Sequence, residues 1–171
     1  AKASANAGEA ALAVHYARQI ESSRFKSEAL CIIATQLCHA GSIDDTLVIL
    51  REIDLASVTP GSVLGLGSAL LGAGSGDWAS ICASELRSRW RSEPLSLIPY
   101  AVPLVGLWLG VRDLETARSI SFGLARIFLR EVVYFREKLE ILSSLAVAFA
   151  MMGDHDHAIA LQEFVKEPLE R

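Results

Sequence analysis

Apolar residues recur along the chain with the spacing of amphipathic helices. In the clearest unit, a stripe over residues 30–37 repeats every three or four positions, as one buried face of a helix does. Gly41 interrupts that helix, and a second stripe follows over residues 47–53. Two amphipathic helices on either side of a glycine turn form an αα-hairpin.

The turn recurs, and each time a small residue follows five positions later. Five positions carry the pattern: Gly8, Gly41, Gly74, Gly153 and a degenerate copy at Arg112. In chain order these positions are 33, 33, 38 and 41 residues apart. Apolar helices precede the turns, and short polar residues that favour helix starts follow them. The pattern therefore predicts an all-α protein built from repeated antiparallel helix pairs.

Three further positions repeat in register with the turns. The first helices carry a larger residue at Leu30, Val63, Ala101 and Leu142. One turn of helix later they carry a small packing residue, or a valine in the third copy: Ala34, Gly67, Val105 and Ala146. The second helices carry Thr46, Ala79, Ala117 and Ala158. This pattern resembles the tetratricopeptide repeat, a helix pair of about 34 residues. The closing proline common in that family is missing here, and the repeats lengthen after Leu86.

The resemblance implies a right-handed α-solenoid of about four antiparallel helix pairs, in a single domain over residues 1–171. It divides the chain into a half repeat at 1–20 and repeats at about 24–54, 60–91, 95–130 and 136–166. Because the chain begins in mid-repeat and with Ala1, we expect it to be a segment of a longer protein.

In the resembling family, the first helices line a concave face that takes peptides. Carried over to this chain, that face consists of Glu28, Cys31, Thr35, Cys38, His39, Leu64, Ser68, Leu71, Glu140, Ser143, Val147 and Met151, with Val102 and Leu109 from the middle repeat. The set is mostly apolar or small, and lacks the Lys, Arg and Asn with which some members grip a carboxylate. It therefore predicts an amphipathic helix as ligand. We expect Leu71→Asp to abolish capture of a partner, and charge reversal at Glu28 to matter little.

Three classes of function are open. The first is a protein–protein interaction module that binds a partner peptide or helix. The alternative is a self-assembling scaffold, a homo-oligomer stacked through the half repeat, or a sensor segment of a larger multidomain protein. The third is an enzyme, for which no catalytic set or cofactor fingerprint is visible, so we expect no catalytic residue and no cofactor.

Charge argues against nucleic acid as the partner. The formal net charge is −4, from 16 basic and 20 acidic residues. The basic residues Arg87, Arg89 and Arg91 surround Trp90, a combination that can bind a phosphate backbone and stack on bases. They also lie at the end of a second helix, where basic groups complement the helix dipole. We therefore expect a protein or peptide partner.

Three features bear on the compartment and on membranes. The three cysteines, Cys31, Cys38 and Cys82, form no CxxC pair, so we expect reduced, buried thiols. No secretory leader opens the chain, which predicts a cytoplasmic protein.

Residues 55–76 and 94–111 are uncharged and long enough for a membrane span. Prolines interrupt both stretches, which favours buried helices, and Pro103 implies that its helix is kinked or begins near that residue.

Residues 154–157, Asp-His-Asp-His, have the composition of a divalent-metal site. The same residues fit a turn and a helix start, where Asp is a common cap. No distant His or Cys is placed to complete a coordination shell, so we expect no metal.

Cys38 and His39 adjoin in sequence, but adjacent helical residues do not face each other, so a thiolate–imidazole pair is not expected.

Overall fold

The computed structural model describes residues 2–130 and 135–166, and all regular structure in those ranges is helical. The α-helices are α1 (Lys2–Arg18), α2 (Ser23–His39), α3 (Ile43–Leu50), α4 (Pro60–Gly72), α5 (Gly76–Ser92), α6 (Ala101–Gly110), α7 (Leu114–Arg130), α8 (Phe135–Met151) and α9 (His155–Lys166). Short 3₁₀ helices occupy Leu55–Ser57 and Pro94–Tyr100. The prediction of an all-α protein is confirmed for these residues.

One type of turn joins α2 to α3, α4 to α5, α6 to α7 and α8 to α9. In the first hairpin the N–H of Ser42 donates to the carbonyl of Leu37 at 2.9 Å, and the N–H of Gly41 donates to that of Cys38 at 3.0 Å. This pair of bonds is the Schellman motif, which satisfies carbonyl groups left free at the end of a helix. The central residue has a left-handed backbone in each hairpin, with φ of 82°, 78°, 62° and 74° at Gly41, Gly74, Arg112 and Gly153.

The predicted turns at these four positions are therefore confirmed, but the turn predicted at Gly8 is wrong. Gly8 lies inside α1, which runs without a break from Lys2 to Arg18. Glycine carries no turn geometry of its own. It also adopts helical dihedrals, at a cost of about 1 kcal/mol relative to alanine.

The repeated positions are buried in every hairpin. All four larger first-helix residues, all four residues one turn later, and the four small second-helix residues are buried. Two more sets of equivalent residues are buried in every hairpin. They are Leu37, Leu70, Trp108 and Phe149 in the first helices, and Ile49, Cys82, Ile120 and Leu161 in the second.

The helices form two compact units, α1–α5 and α6–α9. In the first unit, α2 packs against α1, α3 and α4, and α4 packs against α5, around a core that includes Leu30, Leu66 and Leu86. In the second unit, α8 packs against α6, α7 and α9. Trp108 and Phe128 are among its fully buried side chains.

The prolines mark helix starts. Thr59 is the N-cap of α4, and Pro60 is its first residue. Helix α6 begins at Ala101, so Pro103 lies in the first turn, where a missing N–H removes no helical hydrogen bond. Among the described helices, none has the length and apolarity needed to cross a membrane.

Candidate functional site

Glu28, predicted to line a groove, instead caps the neighbouring helix α4. Its Oε2 accepts the backbone N–H of Thr59 at 2.7 Å, and its Oε1 accepts the hydroxyl of Thr59 at 3.0 Å and that of Ser62. Desolvation raises the pKa of Glu28, but the bonds from Ser62 and Thr59, together with the charge of Arg24, outweigh it and hold the pKa below its ordinary value. The carboxylate thus joins the first two hairpins.

The other predicted groove residues of α2 are mostly covered. Cys31 and Cys38 are 0% and 4% exposed, and the Cys31 thiol donates to the carbonyl of Ser62 at 3.5 Å. Burial raises the pKa of Cys31 to about 12, with smaller contributions from Cys82 and Glu28. Thr35 is half-buried, and only His39 of this group is exposed. The two cysteines are therefore packing residues rather than an accessible surface.

The remaining predicted residues divide between the two units. On α4, Leu64 is buried and Leu71 half-buried, while Ser68 is exposed. On α8, all four predicted residues are exposed and lie on one face at helical spacing: Glu140, Ser143, Val147 and Met151. Helix α8 is thus the element on which the predicted set forms an open surface.

A cleft that the sequence pattern does not predict lies beside α1. Its volume is about 380 Å³, and its lining comes from α1, α2 and α3. The lining residues are Ala10, Ala11, Val14, Arg18, Leu37, Asp45, Val48 and Ile49. Six of these eight residues are apolar, and the wall also contains one acid and one base.

The base in that wall is already paired. The Arg18 Nε donates to Glu52 Oε2 at 3.0 Å, and a second nitrogen donates to Oε1, which ties α1 to the end of the first hairpin. The hydrogen bond from Arg18 lowers the pKa of Glu52 against desolvation, with help from the charges of Arg18 and Lys26. The same hydrogen bond raises the pKa of Arg18. The positive charge of Arg18 is therefore largely neutralised.

The acid in the wall has no such partner. No described residue forms a hydrogen bond or an ion pair with Asp45, which is exposed. The cleft therefore combines a mostly apolar set of lining residues with one acid, Asp45, that no described residue pairs.

The Asp154–His157 segment is a helix start in the structure. His157 Nδ1 lies 2.8 Å from Asp154 Oδ1, and Arg118 Nε lies 3.9 Å from Oδ2. The bond from His157 lowers the pKa of Asp154, against a smaller effect of desolvation. The His157 ring packs edge-on against Phe122, with centroids 4.6 Å apart. In the described part of the chain, no three His, Cys, Asp or Glu side chains are grouped as metal ligands would be.

The basic patch is also largely structural. Arg89 donates to the carbonyls of Val58, at 2.6 Å, and Leu55, and it pairs with Glu85 at 2.9 Å. Arg91 is exposed, and Trp90 is half-buried. Arg89 therefore binds the segment between the first two hairpins, and its guanidinium is already paired within the protein.

A single sequence contains little that could reveal the cleft. The Arg18–Glu52 pair joins residues 34 positions apart, and helical periodicity does not link them. Comparison with protein-family models, curated proteins and solved structures gave no match to this chain. The chemistry of the described surfaces is therefore the basis on which a function can be proposed.

Proposed function

We propose that this chain is a protein-binding module whose cleft beside α1 takes an apolar and basic segment of a partner polypeptide. One observation carries this proposal: a depression of about 380 Å³ with a mostly apolar lining and an acid, Asp45, that no described residue pairs. This volume falls in the range of about 300–1,000 Å³ that is typical of ligand pockets.

The lining defines the chemistry of the partner. Val48, which is exposed in the lining, offers aliphatic contact to one or two anchor side chains of the partner, and such anchors contribute most of the affinity in interfaces. The unpaired carboxylate of Asp45 favours Lys or Arg beside those anchors and disfavours an acidic segment. An amphipathic helix with Leu and Lys or Arg on adjacent positions meets both requirements. The lining contains no Ser, Cys or His, so the proposed role is binding rather than catalysis.

The resemblance to tetratricopeptide repeats supports the same class of function, since members of that family bind peptides. The proposal includes the right-handed α-solenoid expected from the sequence, which a crystal structure of the chain would test. It moves the expected ligand site from the first helices, where Cys31 and Cys38 are buried, to the cleft beside α1.

Selection from a phage-displayed library of helical peptides tests the proposal, because a library does not require the natural partner to be identified. Enriched peptides should combine apolar residues at i and i+4 with Lys or Arg, and isothermal titration should give their affinities. Val48→Asp should abolish binding, because it puts a charge into the apolar lining at a side chain that is exposed and not needed for the core. Asp45→Asn should weaken binding and reduce its dependence on salt.

Ile81→Asp on α5 is the matched control, since Ile81 is similarly exposed and lies outside the cleft. Circular dichroism should show that all three variants fold. Selection of no peptide, selection of peptides without basic residues, or equal binding to the Val48→Asp and Ile81→Asp variants would each refute the proposal.

A further inference from the structure

Helices α2 and α8 occupy the same place in their hairpins and can be compared residue by residue. Each ends in the shared turn, at Gly41 and at Gly153. Counted back from that turn, Leu30 corresponds to Leu142 and Ala34 to Ala146, and all four are buried. The two helices therefore present the same face to the cores of their own hairpins.

A second face is covered on α2 but open on α8. On α2 this face contains Cys31 and Cys38, both buried. The corresponding residues of α8 are Ser143 and Ala150, and both are exposed. Packing accounts for the difference, because α2 packs against the next hairpin through α4, whereas the main contacts of α8 within the described residues are with α6, α7 and α9.

The α2–α4 contact shows what kind of helix fits this face. At the start of helix α4, the hydroxyl groups of the N-cap Thr59 and of Ser62 donate to Glu28, and the Cys31 thiol donates to the Ser62 carbonyl. The sequence of α4 contains no charged residue and consists mainly of Gly, Ser and aliphatic residues. The residue of α8 that corresponds to Glu28 is Glu140. Both helices therefore carry a glutamate at the position from which Glu28 caps α4.

We infer that the exposed face of α8 docks a partner helix of the α4 type: an uncharged helix of small and aliphatic residues, with Ser or Thr in its first turn. The α8 face consists of Glu140, Ser143, Val147, Ala150 and Met151. Ser143 and Ala150 are small enough to allow close approach of a second helix. Val147 and Met151, which are 56% and 70% exposed, supply apolar area, and Met adapts its shape readily to a partner.

Met151 also provides a local readout. It and Met152 are the two methionines of the chain, and Met152 is only 8% exposed. Peroxide oxidises accessible methionine to the sulfoxide, so mass spectrometry should show fast oxidation at Met151 and slow oxidation at Met152. A helix docked on the α8 face should slow oxidation of Met151 several-fold and leave Met152 unchanged.

The probe is a synthetic peptide with the sequence of residues 58–73, extended by two C-terminal lysines for solubility, added to the full chain. Ala150→Arg should remove the protection of Met151, because it places a long charged side chain in the contact. Ala160→Arg on α9 is the matched control, since Ala160 is also exposed but lies on another helix. A peptide in which Ser62 and Thr59 are both replaced by Ala should protect less, because Glu140 loses two donors.

Absence of protection, or protection that survives Ala150→Arg, would overturn the inference. Sedimentation that shows a dimer without peptide, lost on Ala150→Arg, would identify a second copy as the occupant and would overturn it too. Val48→Asp should leave the protection intact. Failure of the α8 face can therefore be distinguished from failure of the cleft.

Discussion

The carboxylate of Glu28 on α2 accepts the backbone N–H of Thr59, the N-cap residue of α4, at 2.7 Å. A free N–H at the start of one helix is thus satisfied by a side chain 31 residues earlier on another. Glu28→Gln should lower the free energy of unfolding by about 1–2 kcal/mol, because the neutral amide is a weaker acceptor for these donors. Urea denaturation measures this change. Glu21→Gln, at an exposed acid, should have almost no effect.

The same carboxylate should make stability depend on pH. The pKa of Glu28 is held below its ordinary value, so its contribution is complete above about pH 4.3, the usual pKa of an unfolded Glu, and is lost as pH falls through the lower folded value. Glu28→Gln should therefore lose less stability than the parent chain between about pH 5 and pH 3. Equal slopes for parent and variant in this range would contradict the assignment. Some slope should remain in both, because the pKa values of Glu52 and Asp154 are also lowered.

Arg89 should matter far more than its neighbour Arg91. Arg89→Ala removes a guanidinium that binds the carbonyls of Val58 and Leu55, and should cost about 2–3 kcal/mol. Arg91→Ala removes an exposed cation from the end of the same helix and should cost less than about 0.5 kcal/mol. Thermal denaturation of the two variants gives the comparison. If the two variants lose similar stability, Arg89 stabilises the protein through its charge at the helix end rather than through its bonds to the connecting segment.

Arg112 occupies a backbone conformation that its three counterparts fill with glycine. Its φ is 62°, and a side chain in this region costs about 1–2 kcal/mol. Arg112→Gly should stabilise the protein by about 0.5–1 kcal/mol, since the greater freedom of unfolded glycine offsets part of the relief. Gly74→Ala should destabilise by about 1 kcal/mol through backbone strain, because no atom lies within 4 Å of the added Cβ. Calorimetry that gives the opposite order would refute this account of the turn.

Ser121 is fully buried on α7, and its hydroxyl has no hydrogen-bond partner in the described structure. A buried polar group without a partner is destabilising, so Ser121→Ala should leave stability unchanged or raise it by about 1 kcal/mol. Thr46 is the contrasting case, because its hydroxyl donates to the Ser42 carbonyl at 2.9 Å. Thr46→Val should cost about 1 kcal/mol. A loss above about 1 kcal/mol for Ser121→Ala would mean that the hydroxyl is satisfied in solution.

Local rules predict the hairpins well. Gly41, Gly74 and Gly153 are recognisable as turns because each follows an apolar helix and precedes a polar helix start, which are properties of adjacent residues. Spacing identifies Arg112 even without glycine. The error at Gly8 has the same origin, since a glycine and a small residue five positions later also fit within a single helix.

Contacts between hairpins are not predictable in the same way. Glu28 and Cys31 fit an open groove by sequence because helical spacing gives the face of a residue but not what covers that face. The Glu28–Thr59 and Arg18–Glu52 contacts join residues 31 and 34 positions apart, and no local pattern specifies them. The cleft beside α1 is lined by residues of three helices, so it too can be seen only in three dimensions.

The residue after the left-handed position in each turn has two tasks, because it closes the Schellman bond and also begins the next helix. Three residues separate the paired helices in every hairpin: 40–42, 73–75, 111–113 and 152–154. An insertion at any of these links would break both the end of one helix and the start of the next. Changes in repeat length are therefore confined to the helices themselves and to the segments between hairpins. That restriction explains how successive turns can be 33, 38 and 41 residues apart while the three-residue turn itself stays the same.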